Sequence, residues 1–159
     1  MTDKPKSCAI CRQPVEPARI DEVTGEEKEL AVTLRGMPVL VCGNGHRHFV
    51  SPDFPLRLLD HVTELDEPKL PAGAEKGLIV RHFVCSDCGG ELQAKPDHRH
   101  TFSFDVQLPR IDAFTVDLTT PVYRCSRCGR EQLHSLRSLR KLTPAALAHA
   151  FKAARIPHG

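Results

Sequence analysis

Tryptophan is absent from this sequence and tyrosine occurs once; aromatic residues fill only 5% of its 159 positions. Large rings dominate the buried area of most cores, so a core built without them gains little per side chain. Long apolar runs are missing too. None approaches the ~20 residues that a membrane-spanning helix needs. The opening stretch, MTDKPKSCAICRQP, has no apolar centre and so does not read as a secretory signal. The compartment expected from this is the cytoplasm, where thiols stay reduced and cysteines serve as metal ligands more often than as disulfides. Catalytic signatures are equally scarce. There is no H-E-x-x-H, no P-loop, no dinucleotide fingerprint and no deaminase pair of H-x-E with P-C-x-x-C. The sequence therefore points away from an enzyme.

The length allows one ordinary domain or two small ones. If the chain divides, each half is of a size at which a hydrophobic core alone is marginal. The seven cysteines are the obvious compensation. Three pairs are C-x-x-C: Cys8–Cys11, Cys85–Cys88 and Cys125–Cys128. The unpaired Cys42 opens CGNGHRH, which offers His46 and His48. Seven thiolates and one imidazole make two sets of four, the number that closes two tetrahedral zinc sites. Cys85, Cys88, Cys125 and Cys128 form one set. Gly89 and Gly129 follow directly after its two pairs, where a positive φ turns the chain back under the metal. Cys8, Cys11, Cys42 and a histidine form the other set. His46 lies one residue beyond the place of a knuckle cysteine, a gap that an imidazole can reach across, and His48 is its rival. Four thiolates alone do not separate zinc from a rubredoxin-like iron.

The halves match outside the ligands as well. Apolar residues alternate at Leu30, Val32 and Leu34, then at Phe102, Phe104, Val106 and Leu108, and again at Phe114, Val116 and Leu118. A period of two predicts half-buried strands. A proline stands four residues before each second knuckle, in Pro38-Val39-Leu40-Val41-Cys42 and in Pro121-Val122-Tyr123-Arg124-Cys125. The pattern reads as duplication of one module. Ser51-Pro52 and Thr143-Pro144 predict helix starts. Leu56, Leu59 and Val62 mark the apolar face of the first helix, and Leu147, Ala150, Phe151 and Ala154 that of the second. DEPKLPAGAEKG reads as a linker, with a strand over Leu78 to Val84 behind it. His98-Arg99-His100 reads as a solvated hairpin loop.

The expected fold is thus a small, metal-stabilised α+β protein. Two zinc ribbons, antiparallel β-hairpins with zinc knuckles, are each followed by a short helix. Residues 1–65 hold the module with three cysteines and one histidine, 66–77 the linker, and 78–159 the four-cysteine module with a basic C-terminal helix.

CAIC, followed by GMPVLVCGNGH, resembles the zinc-finger half of YgiT-type antitoxins, in which C-x-x-C precedes strands and a V-P-x-x-x-C-x-x-C knuckle. The resemblance covers residues 8–50 and departs from the pattern at His46. It implies a regulatory zinc-binding module. CSDCGGEL and YRCSRCGREQL in the second half are similar to a generic four-cysteine zinc ribbon, a fold shared by many binding proteins.

The net charge of +2 conceals an asymmetry. Residues 1–123 carry 14 basic against 19 acidic residues, and residues 124–159 carry 8 basic residues against Glu131 alone. A non-enzymatic adaptor or regulatory protein is expected, holding two Zn2+ and binding a protein partner through its ribbons and C-terminal helix, with Leu147 and Phe151 as anchors in a partner's groove. The alternative is nucleic-acid binding through the basic segment, where Arg137, Arg140 and Lys141 have helical spacing and could neutralise phosphates.

Overall fold

The alternating stretches of the chain form two long hairpins joined edge to edge. In the computed structural model, which describes residues 7–64, 74–76, 82–93, 95–133 and 136–156, the elements follow in this order. β1 is Val15–Glu27, β2 Leu30–Cys42, β3 Arg47–His48, α1 Phe54–Glu64, β4 Ala74–Lys76, β5 His82–Val84, β6 His98–Val106, β7 Phe114–Arg124, β8 Glu131–Gln132 and α2 Leu136–Ala153. This is a small α+β protein with an antiparallel sheet and two helices. The main sheet runs β1-β2-β7-β6, with β3 added to β2 and β8 to β7; β4 and β5 pair separately.

β2 and β7 lie antiparallel at the centre of the sheet, Ala31 opposite Thr119 through to Arg35 opposite Thr115. The first hairpin therefore continues into the second without a break. A shift of 83 positions, which carries Cys42 onto Cys125, maps this register onto itself about a point between the Thr33–Asp117 and Leu34–Val116 pairs. The two hairpins are thus related by a pseudo-two-fold axis in this register, the arrangement that duplication of one module would give. Because the central strands are antiparallel, the two knuckle sets, each at the C-terminal end of its β2 or β7 strand, fall at opposite ends of the sheet. Burial repeats as well: residues 37–40 are all buried, and so are their equivalents 120–123.

One face of the sheet is polar, with Thr24 and Thr33 hydroxyls 2.8 Å apart, Thr101 and Thr119 at 2.8 Å, and Arg35 paired to Asp117 at 3.0 Å. The other carries the core. Leu30, Val32 and Leu34 of β2 join Val116 and Leu118 of β7, Val106 of β6 and residues from both helices in a single cluster. The few aromatic residues are concentrated there. Phe49 stands edge-on to Phe151 at 4.9 Å and stacks on Phe54, which in turn meets Phe114 at 6.0 Å. The scarcity of rings is thus offset by gathering four of them at one point.

Helix placement departs from the sequence reading. α1 begins at Phe54, two residues after Pro52, with the Phe54 N–H donating to the Ser51 carbonyl at 3.2 Å. Its buried stripe is Phe54, Leu58 and Val62, spaced i, i+4, i+8, whereas Leu56 is 67% exposed. The expected face, Leu56, Leu59 and Val62, omits Phe54, and it is the buried Phe54 ring that sets the inward stripe. α2 starts at Leu136 and carries Pro144 inside it. Proline there forfeits the bond to the Arg140 carbonyl, at a cost of about 3 kcal/mol; burial of Thr143, Ala146, Leu147, Ala150 and Phe151 offsets it. Among the strands, α2 packs on β1 and β2, so the helix that follows the second module covers the first. Its closest approach is at Gly25 of β1, where a Cβ would collide with the Ala146 carbonyl and the Ala150 amide.

His98–His100, expected in a loop, opens β6 opposite Thr120–Val122 and remains exposed. β1 was not anticipated at all. Of the predicted linker 66–77, Ala74–Lys76 pairs with His82–Val84; its other residues, and 78–81 of the expected strand, lie outside the described part.

Candidate metal centres

Each cysteine pair sits on a turn that hairpin strands bring to the end of the sheet. In three knuckles the geometry is the same. The amide four residues after the first cysteine donates to that cysteine's carbonyl: Arg12 to Cys8 at 2.8 Å, Gly89 to Cys85 at 3.1 Å and Gly129 to Cys125 at 2.9 Å. That fifth residue has positive φ: 63° at Arg12, 74° at Gly89 and 76° at Gly129. The knuckle then closes as Cys8, Cys85 and Cys125 donate to the carbonyls of Gln13, Gly90 and Arg130, each five residues on.

The Cys42 knuckle is one residue shorter. Its positive φ, 83°, falls at Gly45, whose amide donates to Cys42 at 3.0 Å, and Cys42 closes onto His46, four residues on, at 3.1 Å. Gly45 therefore matches Gly129 and His46 matches Arg130. No residue matches Cys128, and His46, directly before the strand leaving the turn, brings its ring to the place of the fourth donor.

The donor atoms converge. Those of Cys8, Cys11, Cys42 and His46 lie within 4.8 Å of one another, and so do those of Cys85, Cys88, Cys125 and Cys128. In the first set the His46 Nδ1 is 3.5 Å from Cys8 Sγ and 3.4 Å from Cys42 Sγ, and Cys11 Sγ is 3.6 Å from Cys42 Sγ. In the second set the sulfurs of Cys85 and Cys128 are 3.6 Å apart and those of Cys88 and Cys125 3.5 Å. Metal–sulfur bonds of ~2.3 Å and metal–nitrogen bonds of ~2.0 Å imply tetrahedral edges of about 3.8 and 3.5 Å. The sets fit a metal ion at their centres, and their sulfurs are too far apart for disulfides, which need about 2.05 Å. All eight residues expected to bind metal are thus brought together in the expected groups.

Electrostatics agree. The Gln13 backbone N–H, with help from the His46 ring, draws the Cys11 thiol down to about 6. The Cys88 backbone N–H and then the Gln132 amide draw Cys85 to about 6. Cys128 moves the other way. The Arg130 N–H lowers it, but burial and the neighbouring sulfurs outweigh that and push it to about 12. Four thiols held at van der Waals contact cannot all ionise unaided; a central dication removes that conflict by deprotonating them together.

Two further residues complete the sites. Gln132 is fully buried; its Nε2 donates to Cys85 Sγ at 3.2 Å while its Oε1 accepts from the Ser86 amide at 2.9 Å. His48 places Nε2 3.0 Å from Cys8 Sγ. It is not one of the four convergent donors. Sequence reading weighed His48 as a ligand and overlooked Gln132. Aligning the modules with one gap in the Cys42 knuckle would have set the two in register.

Asp97, His98 and Glu131 also lie together, but Arg124 stands 2.9 Å from Glu131 and 3.7 Å from Asp97. A guanidinium already pairs with both carboxylates, and His98 Nδ1 lies 2.9 Å from Asp97, which makes the group an ion-pair network. Of the tail residues, Arg140 and Lys141 are exposed on α2, and the Arg137 side chain lies outside the described part. Leu147 and Phe151 are each 3% exposed, inside the core. Their expected role as anchors in a partner's groove is corrected on that ground, because the sheet already occupies that face.

No family model, curated protein or solved structure matches this chain.

Proposed function

We propose that this chain is a non-enzymatic zinc protein, an adaptor or regulator whose two ribbon modules are each held closed by one structural Zn2+. The observation that carries the reading is the closure of both quartets. A catalytic zinc keeps a coordination position for water or substrate, whereas here four protein donors converge at each centre. The mixed thiolate–imidazole set favours zinc. The ions would be held by Cys8, Cys11, Cys42 and His46, and by Cys85, Cys88, Cys125 and Cys128, cross-linking strand ends that have little apolar packing of their own: among the described residues, the second cluster is backed by Leu92 and Phe83. The resemblance of residues 8–50 to YgiT-type antitoxin fingers supports a regulatory role. Elemental analysis after anaerobic purification should give two zinc ions per chain; one or none would sink the reading. Capture from native lysate tests the adaptor role: a protein partner retained after nuclease treatment supports it.

A second reading, nucleic-acid binding, is favoured by one observation. The apolar face of α2 is buried, while Arg140, Lys141, Lys152 and Arg155 are exposed, and among the described residues no carboxylate pairs with them. Replacing Arg137, Arg140 and Lys141 by Ala should then weaken oligonucleotide binding evenly across sequences. Each lost phosphate contact should lower the salt slope by about one. Unchanged binding would reject this reading.

A further inference from the structure

The sheet ends in two edge strands, β1 and β6, and they are guarded very differently. Exposed edges present unpaired amides and carbonyls, and proteins protect them with charges of one sign, proline or a bulge. β1 has such protection: Pro17 and five acids, Glu16, Asp21, Glu22, Glu26 and Glu27, which would repel a second β1. β6, HRHTFSFDV, has no proline and no lysine, and among the described residues no strand pairs with its outer edge. Its core-side face is incompletely covered. Phe102 and Phe104 are half-buried where Val106 is fully buried, and Phe102 meets the ring of His100 edge-on at 4.5 Å.

We propose that β6 is a homodimer interface, formed by antiparallel pairing with β6 of a second copy about a two-fold axis at Phe102. The strand is self-complementary about that residue. Antiparallel pairing centred there sets Arg99 opposite Asp105 twice, Thr101 opposite Ser103 twice, and Phe102 opposite itself. Shifting the register by two residues, the smallest slip that keeps the same face toward the core, loses both charge pairs. Arg99, Thr101, Ser103 and Asp105 all extend the polar face and are exposed. Within one chain Thr101 bonds the Thr119 hydroxyl at 2.8 Å, while each charged side chain has one neutral partner: Arg99 Nη2 donates to the Glu29 carbonyl at 3.2 Å, and Asp105 accepts from the Thr115 hydroxyl at 3.2 Å. On the opposite face the two Phe102 rings and the flanking Phe104 residues form an aromatic cross-strand cluster of the kind that stabilises sheets. The main path β1-β2-β7-β6 then runs continuously through both copies, with an acid-guarded β1 strand at each end.

Sedimentation velocity on the metal-loaded full chain tests this. The expected result is a monomer–dimer equilibrium in the micromolar range. Arg99→Asp and Asp105→Arg each place like charges opposite one another twice and should weaken the dimer about tenfold or more. The double variant R99D/D105R restores opposite charges and should recover most of the loss. Ser103→Lys, which leaves both charges in place and adds a lysine guard to the edge, should also give monomer with unchanged zinc content and melting temperature. A chain that stays monomeric at high micromolar concentration would overturn the proposal. So would a dimer indifferent to the single charge reversals, a double variant as weak as the singles, or a monomer that takes up another protein's extended peptide along β6.

Discussion

Gln132 stands to Cys85 as His48 stands to Cys8. Gln132 pairs with Tyr123 on β7, and His48 pairs with Leu40, the residue equivalent to Tyr123, on β2. Each points a nitrogen at the first sulfur of its own module, at 3.2 and 3.0 Å. Each module therefore carries an outer hydrogen bond to the thiolate as well as its ligands, and His48 falls on the outer position.

This equivalence separates the two histidines experimentally. His46→Ala removes a ligand and should empty the first site. His48→Ala and Gln132→Ala should leave both sites filled but weaken their own site about 10- to 100-fold, as outer-shell changes typically do. Competition with a chromophoric chelator reads both effects. An empty first site in the His48 variant, with zinc retained in the His46 variant, would reverse the assignment.

Metal removal should unfold the chain in one step. Structural zinc contributes about 10–16 kcal/mol of apparent binding free energy in small zinc peptides at neutral pH, more than the net stability of most domains. Because β2 and β7 are paired and α2 lies on the first hairpin, loss of either ion should disturb both halves. Calorimetry of the Cys11→Ser and Cys88→Ser variants should each show a single, lowered transition. Two separate transitions, one unaltered, would mean that the halves are energetically independent.

Gly25 is the point where helix and sheet backbones meet. Gly25→Ala sets a methyl against the Ala146 carbonyl and the backbone of Ala150, and backbone moves less readily than a side-chain tip. The cost expected is at the upper end of the ~1–3 kcal/mol typical of overpacking, read as a lower denaturant midpoint. Gly43→Ala, where the nearest atom is the flexible Gln13 side chain, should cost far less.

Tyr123, the sole tyrosine, titrates late. Burial, and then the nearby Glu29 carboxylate, raise its hydroxyl to about 12, against ~10 in an unfolded chain. A raised value means that the folded state holds its proton longer. The stabilisation is complete below pH ~10 and is lost as pH climbs towards 12. Phenolate absorbance should therefore rise with a midpoint near 12 in the folded protein, and Glu29→Gln should lower that midpoint. A midpoint near the unfolded value would mean that Tyr123 is solvated.

The sequence by itself determined the seven cysteine donors and their division into two sets, because C-x-x-C is a local object: a four-residue turn aims two sulfurs wherever it occurs; the choice of His46 over His48 came from the structure. The sequence also determined β2 and β7, where strict alternation at Leu30, Val32 and Leu34 and at Phe114, Val116 and Leu118 leaves one face apolar. The shorter knuckle was visible as the odd spacing of Cys42 and His46. What only the tertiary structure decided lies between elements. Periodicity marks Leu147 and Phe151 as one apolar face but carries no information about what covers it, and the cover turned out to be the hairpin of the other module. Leu56 and Pro144 were misread for a related reason. At Pro52 the helix does follow the proline, but burial of Phe54 beside Phe114 sets which face turns inward; at Pro144 packing of α2 along Gly25 outweighed the local preference for a start at the proline. The roles of His48 and Gln132 depended on register across strands more than thirty residues away from the sulfurs they touch, a distance that no local pattern spans.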